Sequence, residues 1–161
     1  MDSYGDTMKH IGRVREILSI VAERLKNRGV GHDRSKLESP EKDVLDEFTP
    51  KLAGSEYGGE EYKGFLKAMK PALDHHYAES PHHPEHYPNG INDMTLIDLV
   101  EMMADWAAAS ERHQSGSVAR SVEVNRKRFG LTDQLATIFL NTYRELGLLP
   151  KPNDAGAQVK E

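Results

Sequence analysis

Apolar residues in this chain recur at intervals of three and four, and no stretch sustains the period-two alternation of a half-buried strand. That pattern leaves helices as the building material. Ile11, Val14, Ile17, Leu18, Val21 and Leu25 form the stripe of a first helix, which starts near Asp6 or Thr7 and is ended by Gly29 and Gly31. Ser39-Pro40-Glu41-Lys42 opens a second, with Val44, Leu45 and Phe48, and the Thr49-Pro50 step should stop or kink it. Ala53 to Gly59 reads as an exposed loop. Glu60 to Ala78 carries Tyr62, Phe65, Leu66, Met69, Leu73 and Tyr77, with a break or kink expected at Pro71. Thr95, with Asp98 three residues on, caps a helix through Leu96, Leu99, Val100, Met103 and Trp106 to about Gln114. Ser117 or Ser121 opens the next, stopped by Gly130, and Thr132 caps the last, with Leu135, Ile138, Phe139, Tyr143 and Leu146 on its buried side. The expectation is an all-α protein: one compact bundle of six or seven helices over 1–149, followed by a disordered tail over 150–161.

The 161 residues suffice for one core, but 37% hydrophobic against 29% charged residues keeps that core modest. A net charge of -5 argues against binding duplex nucleic acid, which normally calls for a basic face. It leaves room for a small phosphorylated substrate, because local cations decide that. Without cysteine there is no thiolate site and no cysteine nucleophile. No run approaches the ~20 apolar residues of a membrane span, and Met1 to Lys9 is too polar for a signal peptide. The default expectation is a cytoplasmic protein without a membrane partner; oligomeric state is not legible.

The chemistry concentrates around His32-Asp33-Arg34-Ser35-Lys36. Imidazole and carboxylate side by side suit zinc, manganese, iron, cobalt or nickel, although a lone His-Asp pair is common by chance. Lys36 stands one helical turn beyond Asp33, within reach of an anion; the plainer reading is a solvated lysine paired with Glu38 or Asp33. His10 shares its stripe with Val14, Ile17 and Val21 and therefore faces the interior. Alone it would be a core histidine satisfied by a carbonyl; beside His32-Asp33 it reads as a ligand. His75, His76, His82, His83 and His86 crowd one short segment. Adjacent helical residues diverge by about 100°, so one of His75 and His76 should face a given ion. Three prolines stiffen the loop Ser80 to Asn92 and lower the entropy cost of holding side chains there. The competing reading is an exposed His-rich loop. Asp105 sits between Met103 and Trp106 on its helix, where a carboxylate needs either a partner or a metal. The basic run Arg126-Lys127-Arg128 reads as a solvated face.

In this order, His10, His32-Asp33 and Asp105 resemble the ligand set of the HD-domain superfamily of metal-dependent phosphohydrolases, and Ser35 stands where many members have Gly. The stretches Ser80-Pro81-His82-His83-Pro84-Glu85-His86-Tyr87 and Glu101-Met102-Met103-Ala104-Asp105-Trp106 are also similar to an HD-like family carried by phages. The resemblance implies an HD-like helical fold and one or two divalent ions (Mn, Fe, Co, Ni or Zn). It implies His10, His32, Asp33 and Asp105 as ligands, with His75 or His76 and His82 or His83 as further ones, His76 and His83 being preferred. It also implies hydrolysis of a nucleotide or other small phosphate ester or anhydride by a metal-activated water, with Lys36 neutralising phosphate charge. His82 or His86 would be the proton donor or substrate contact. Two other readings stand beside it: a two-iron oxygenase of the same superfamily, and a non-enzymatic helical binding protein with a structural metal.

Overall fold

The computed structural model describes residues 3–55, 59–112 and 116–150. All regular elements among them are helical, as the spacing predicts: α1 (Ser3–Gly31), α2 (Glu41–Gly54), α3 (Glu60–Glu79), α4 (Leu96–Glu111), α5 (Val118–Phe129) and α6 (Asp133–Glu145). Short 3-10 turns occupy Arg34–Leu37, Pro84–His86 and Gly90–Asp93. No described helix is long and apolar enough to cross a membrane. The chain gathers into two compact units, Met1–His86 and Tyr87–Glu161, where the sequence reading has one domain over 1–149. The expected tail lies outside the described residues from 151 onward, as do 56–58 of the expected loop and the end of α4 at Gln114.

In the first unit, α1 is a single helix of 29 residues. It begins at Ser3, earlier than Asp6 or Thr7, and runs through Gly29 to Gly31. Its stripe is amphipathic, yet no residue of α1 is buried; Leu18 is 61% exposed. The inward-facing first helix read from the sequence is corrected here, because periodicity specifies a face and not what covers it.

α2 and α3 pack on each other, with the Phe48 and Phe65 rings 6.0 Å apart. α2 starts at Glu41, with Pro40 in the cap position and the Ser39 hydroxyl donating to Asp43 at 2.6 Å. Of the stop or kink expected at Pro50 and the kink or split expected at Pro71, the stop and the split do not occur: α2 runs on to Gly54, and α3 is continuous to Glu79. Both prolines are exposed, so water can satisfy the carbonyls that lose their partners. Apart from Met69, Ala72 and Pro84, the buried side chains of this unit are polar: Glu41, His76, Ser80 and His82.

The second unit holds the apolar core. Leu99, Met102, Met103, Trp106 and Ala107 of α4 pack with Val118 and Val122 of α5 and with Leu131, Ala136, Phe139 and Tyr143 on and before α6. Trp106 stacks on Phe129 at 6.3 Å and meets Phe139 edge-on at 6.0 Å. The buried Tyr143 hydroxyl donates to the Met103 carbonyl at 2.8 Å; burial, then the charge of Asp105, pushes its pKa up. The caps fall where the sequence places them. Thr95 and Asp98 form a reciprocal capping box, Ser117 opens α5, Thr132 opens α6, and Gly130 ends α5 at φ 67°. Arg126 and Lys127 are engaged by Glu123, and Arg126 also by Asp133, in keeping with a solvated charged face.

Candidate metal centre

Three backbone features aim side chains at one point in the first unit. Two residues beyond the end of α1, Asp33 adopts a left-handed conformation, φ 55° and ψ 17°, which Asp tolerates better than most residues. The turn that follows, closed by the Lys36 amide donating to the Asp33 carbonyl at 3.0 Å, folds Lys36 back over it. The last turn of α3 carries His76. The His83 amide then donates to the Ser80 carbonyl at 3.0 Å, which wraps His82 and His83 against the end of α3.

The result is a tight cluster. Asp33 Oδ1 lies 3.3 Å from His76 Nε2 and 3.5 Å from His82 Nε2, and His76 Nε2 is 3.0 Å from His83 Nε2. One donor atom from each of Asp33, His76, His82 and His83 lies within 4.8 Å of every other. Asp33 Oδ1 is buried and accepts no well-formed hydrogen bond among the described residues. The other oxygen, Oδ2, accepts from the Lys36 ammonium at 2.7 Å. Burial raises the Asp33 carboxyl pKa, but His76, His82 and Lys36 outweigh it and hold the group well below the usual carboxylate range. Burial, followed by the charges of His82, His76 and Lys36, lowers His83 to about 3. It is a neutral donor at physiological pH.

Glu41, 1% exposed at the start of α2, organises the rim. It accepts from His75 Nδ1 at 2.8 Å, His76 Nδ1 at 3.0 Å and the Ser35 hydroxyl at 3.0 Å. Burial raises its pKa, and the bonds from His75 and Ser35 with the charge of His76 reverse that into a lowering. Of the neighbouring pair, His76 turns inward and His75 is 42% exposed.

These donors suit a divalent ion. A buried, unsaturated carboxylate oxygen faces imidazole nitrogens, two of which sit close enough to repel unless a proton or a cation lies between them. Three nitrogens and one oxygen form a familiar set for zinc and the other first-row ions.

The other expected residues lie as follows. His10 is exposed on α1, 22 residues before His32. Along a continuous helix that is ~33 Å, so His10 does not share an ion with His32 and Asp33 in one chain. His32 is half-buried, its ring 4.5 Å from that of His82 and its Nε2 3.7 Å from Asp33 Oδ2, beside the four-donor cluster. His82, expected either as a proton donor or substrate contact or as the alternative to His83, stands among the four donors. His86 stands outside the cluster; its Nδ1 meets the Tyr77 carbonyl at 3.0 Å, which ties the loop to α3. Asp105 is half-buried on α4 in the second unit, near enough to Tyr143 for its charge to be felt. Sequence reasoning passed over Glu41, because an acidic residue in a first helical turn ordinarily serves the helix dipole.

A family model describing DUF5662, a family of unknown function, matches residues 1–145. The chain belongs to the DUF5662 family. No curated protein and no solved structure matches it. Most of the DUF5662 match coincides with the described helices, and all the residues of the cluster lie inside it.

Proposed function

We propose that this protein is a metal-dependent phosphohydrolase acting on a nucleotide or another small phosphate ester or anhydride. The observation that carries the reading is the buried Asp33 Oδ1 set among His76, His82 and His83, with the Lys36 ammonium bound to the other oxygen of the same carboxylate. Asp33, His76, His82 and His83 would hold one divalent ion. Such an ion supplies a water of lowered pKa and a Lewis acid for a phosphoryl oxygen.

The chain's own groups then have distinct tasks. Asp33 links the donor cluster to Lys36, so the ammonium is kept at a fixed distance from the ion's place. Lys36 retains partial exposure, and its two remaining N–H donors are available to non-bridging phosphate oxygens. A positive charge held in advance favours an anionic substrate and gains weight as negative charge grows in the transition state. The neutral His83 completes the donor set without adding positive charge.

The test is phosphate release from nucleoside mono-, di- and triphosphates with manganese, cobalt, nickel, zinc or iron supplied in turn. Release with at least one ion, abolished by Asp33→Asn, is expected. No release under any condition would overturn the proposal. Iron uptake with oxygen-dependent visible absorbance, and no phosphate release, would mark a two-iron oxygenase instead.

A further inference from the structure

The best-buried charged group of the first unit, the Glu41 carboxylate, has no ordinary structural reason to be there. It sits at the start of α2 and meets two imidazoles from the end of α3 together with the hydroxyl of Ser35, which lies between Asp33 and Lys36. Burying a carboxylate is expensive unless its acceptor capacity is used. Here it is used by three donors, all belonging to the segments that build the cluster.

We infer that Glu41 is a positioning residue, accepting a hydrogen bond from the Nδ1–H of His76 so that Nε2 keeps its lone pair for an ion shared with Asp33 Oδ1 and His83. The inference rests on the metal-centre reading for its consequence and on the hydrogen-bond geometry for its substance. His76 Nδ1 has three oxygens about it: Glu41 at 3.0 Å, and the hydroxyls of Ser35 and Ser80 at 3.3 Å each. A hydroxyl can donate or accept and so leaves the tautomer open. An ionised carboxylate only accepts; Asp33 Oδ1 offers another acceptor to Nε2 at 3.3 Å, and the shorter 3.0 Å contact to Glu41 favours the proton on Nδ1. The ring nitrogen opposite is then an acceptor, the form in which histidine binds a metal.

Ser35 gains a role from the same geometry. Its hydroxyl donates to Glu41 and so ties the turn bearing Asp33 and Lys36 to the start of α2. A glycine at this position would leave that tie unmade. Ser35 thus registers the two halves of the cluster, and Glu41 is the post to which both are fastened.

Nitrogen-15 NMR of the imidazoles in the metal-free protein tests the tautomer, and titration with Co2+ tests its consequence. Wild-type His76 should carry its proton on Nδ1. Glu41→Gln should let the tautomers mix and weaken Co2+ binding 10–100-fold, the usual effect of losing a residue that orients a ligand. The measurement is made well below the melting temperature of each variant, so that a general loss of stability does not register. Ser35→Ala should keep the tautomer and weaken Co2+ binding, though by less than Glu41→Gln does. Wild-type His76 protonated on Nε2 would overturn the inference without any variant having to fold. So would unchanged Co2+ affinity in a folded Glu41→Gln protein. If the wild type binds no Co2+, the titration is repeated with Mn2+, Ni2+, Zn2+ and Fe2+; failure to bind any of them overturns the proposed function, while the tautomer comparison still decides what Glu41 does.

Discussion

Replacing Asp33 by Asn separates a ligand from a structural residue. The substitution keeps size and shape, and Asn tolerates the left-handed backbone at φ 55° as Asp does, so it adds no strain; Ala there would add ~1–2 kcal/mol. What it removes is charge. In the metal-free protein, the Asp33–Lys36 pair at 2.7 Å is about one-third exposed, and an ion pair in that setting is worth ~1 kcal/mol or less. The amide can also lessen the crowding of Oδ1 against the imidazoles. Metal-free stability should therefore change by no more than ~1 kcal/mol in either direction. With metal the difference should be large. An ion present at about 100 times its dissociation constant stabilises the wild type by ~2.7 kcal/mol. For a chain of this length that raises the melting temperature by ~5–10 °C. Asp33→Asn, lacking the only anionic donor of the four, should show little of that rise. The assay is thermal unfolding by circular dichroism, each protein with and without excess Co2+. An equal rise in both proteins would refute the ligand role. A drop of ten degrees or more in metal-free Asp33→Asn would assign the carboxylate to folding instead.

Lys36→Met should leave Co2+ content unchanged while lowering kcat for phosphate release ~30- to 1000-fold, equivalent to ~2–4 kcal/mol; equal turnover at matched metal occupancy would clear Lys36 of the task. His10→Ala should leave the Co2+ dissociation constant where it is, and isothermal titration showing a tenfold loss would mean that α1 lies elsewhere in solution. Val122→Ala, within the second unit's core, should cost ~1–3 kcal/mol in urea unfolding, whereas Val14→Ala, on the uncovered face of α1, should cost less than ~0.5 kcal/mol; comparable losses would show that α1 is covered after all.

The helices were legible because they are written locally. Spacing of three and four predicted an all-α chain, and Thr95, Ser117, Gly130 and Thr132 marked real ends because each satisfies its own backbone neighbours. The two prolines do not end their helices: a proline weakens a helix locally, but whether the helix breaks depends on solvent and packing around it. The residue types of the cluster were equally visible, with His32-Asp33, Lys36 and the crowd of histidines setting out candidate donors by composition alone. Choosing among them was a matter of tertiary structure. His76 rather than His75 faces inward because α3 meets α2 on one side. His82 joins the donors because the turn after Ser80 folds it back. His10 stands apart because α1 is one uninterrupted helix from Ser3 to Gly31. Glu41, unremarkable at the head of a helix, becomes the buried anchor of the cluster once α3 ends against it. Sequence by itself determined which helices form and which donor types the chain carries, since both are read from residues and their near neighbours. Only the tertiary structure decided which donors meet, because that depends on directions in space set by contacts between residues as far apart as Glu41 and His76.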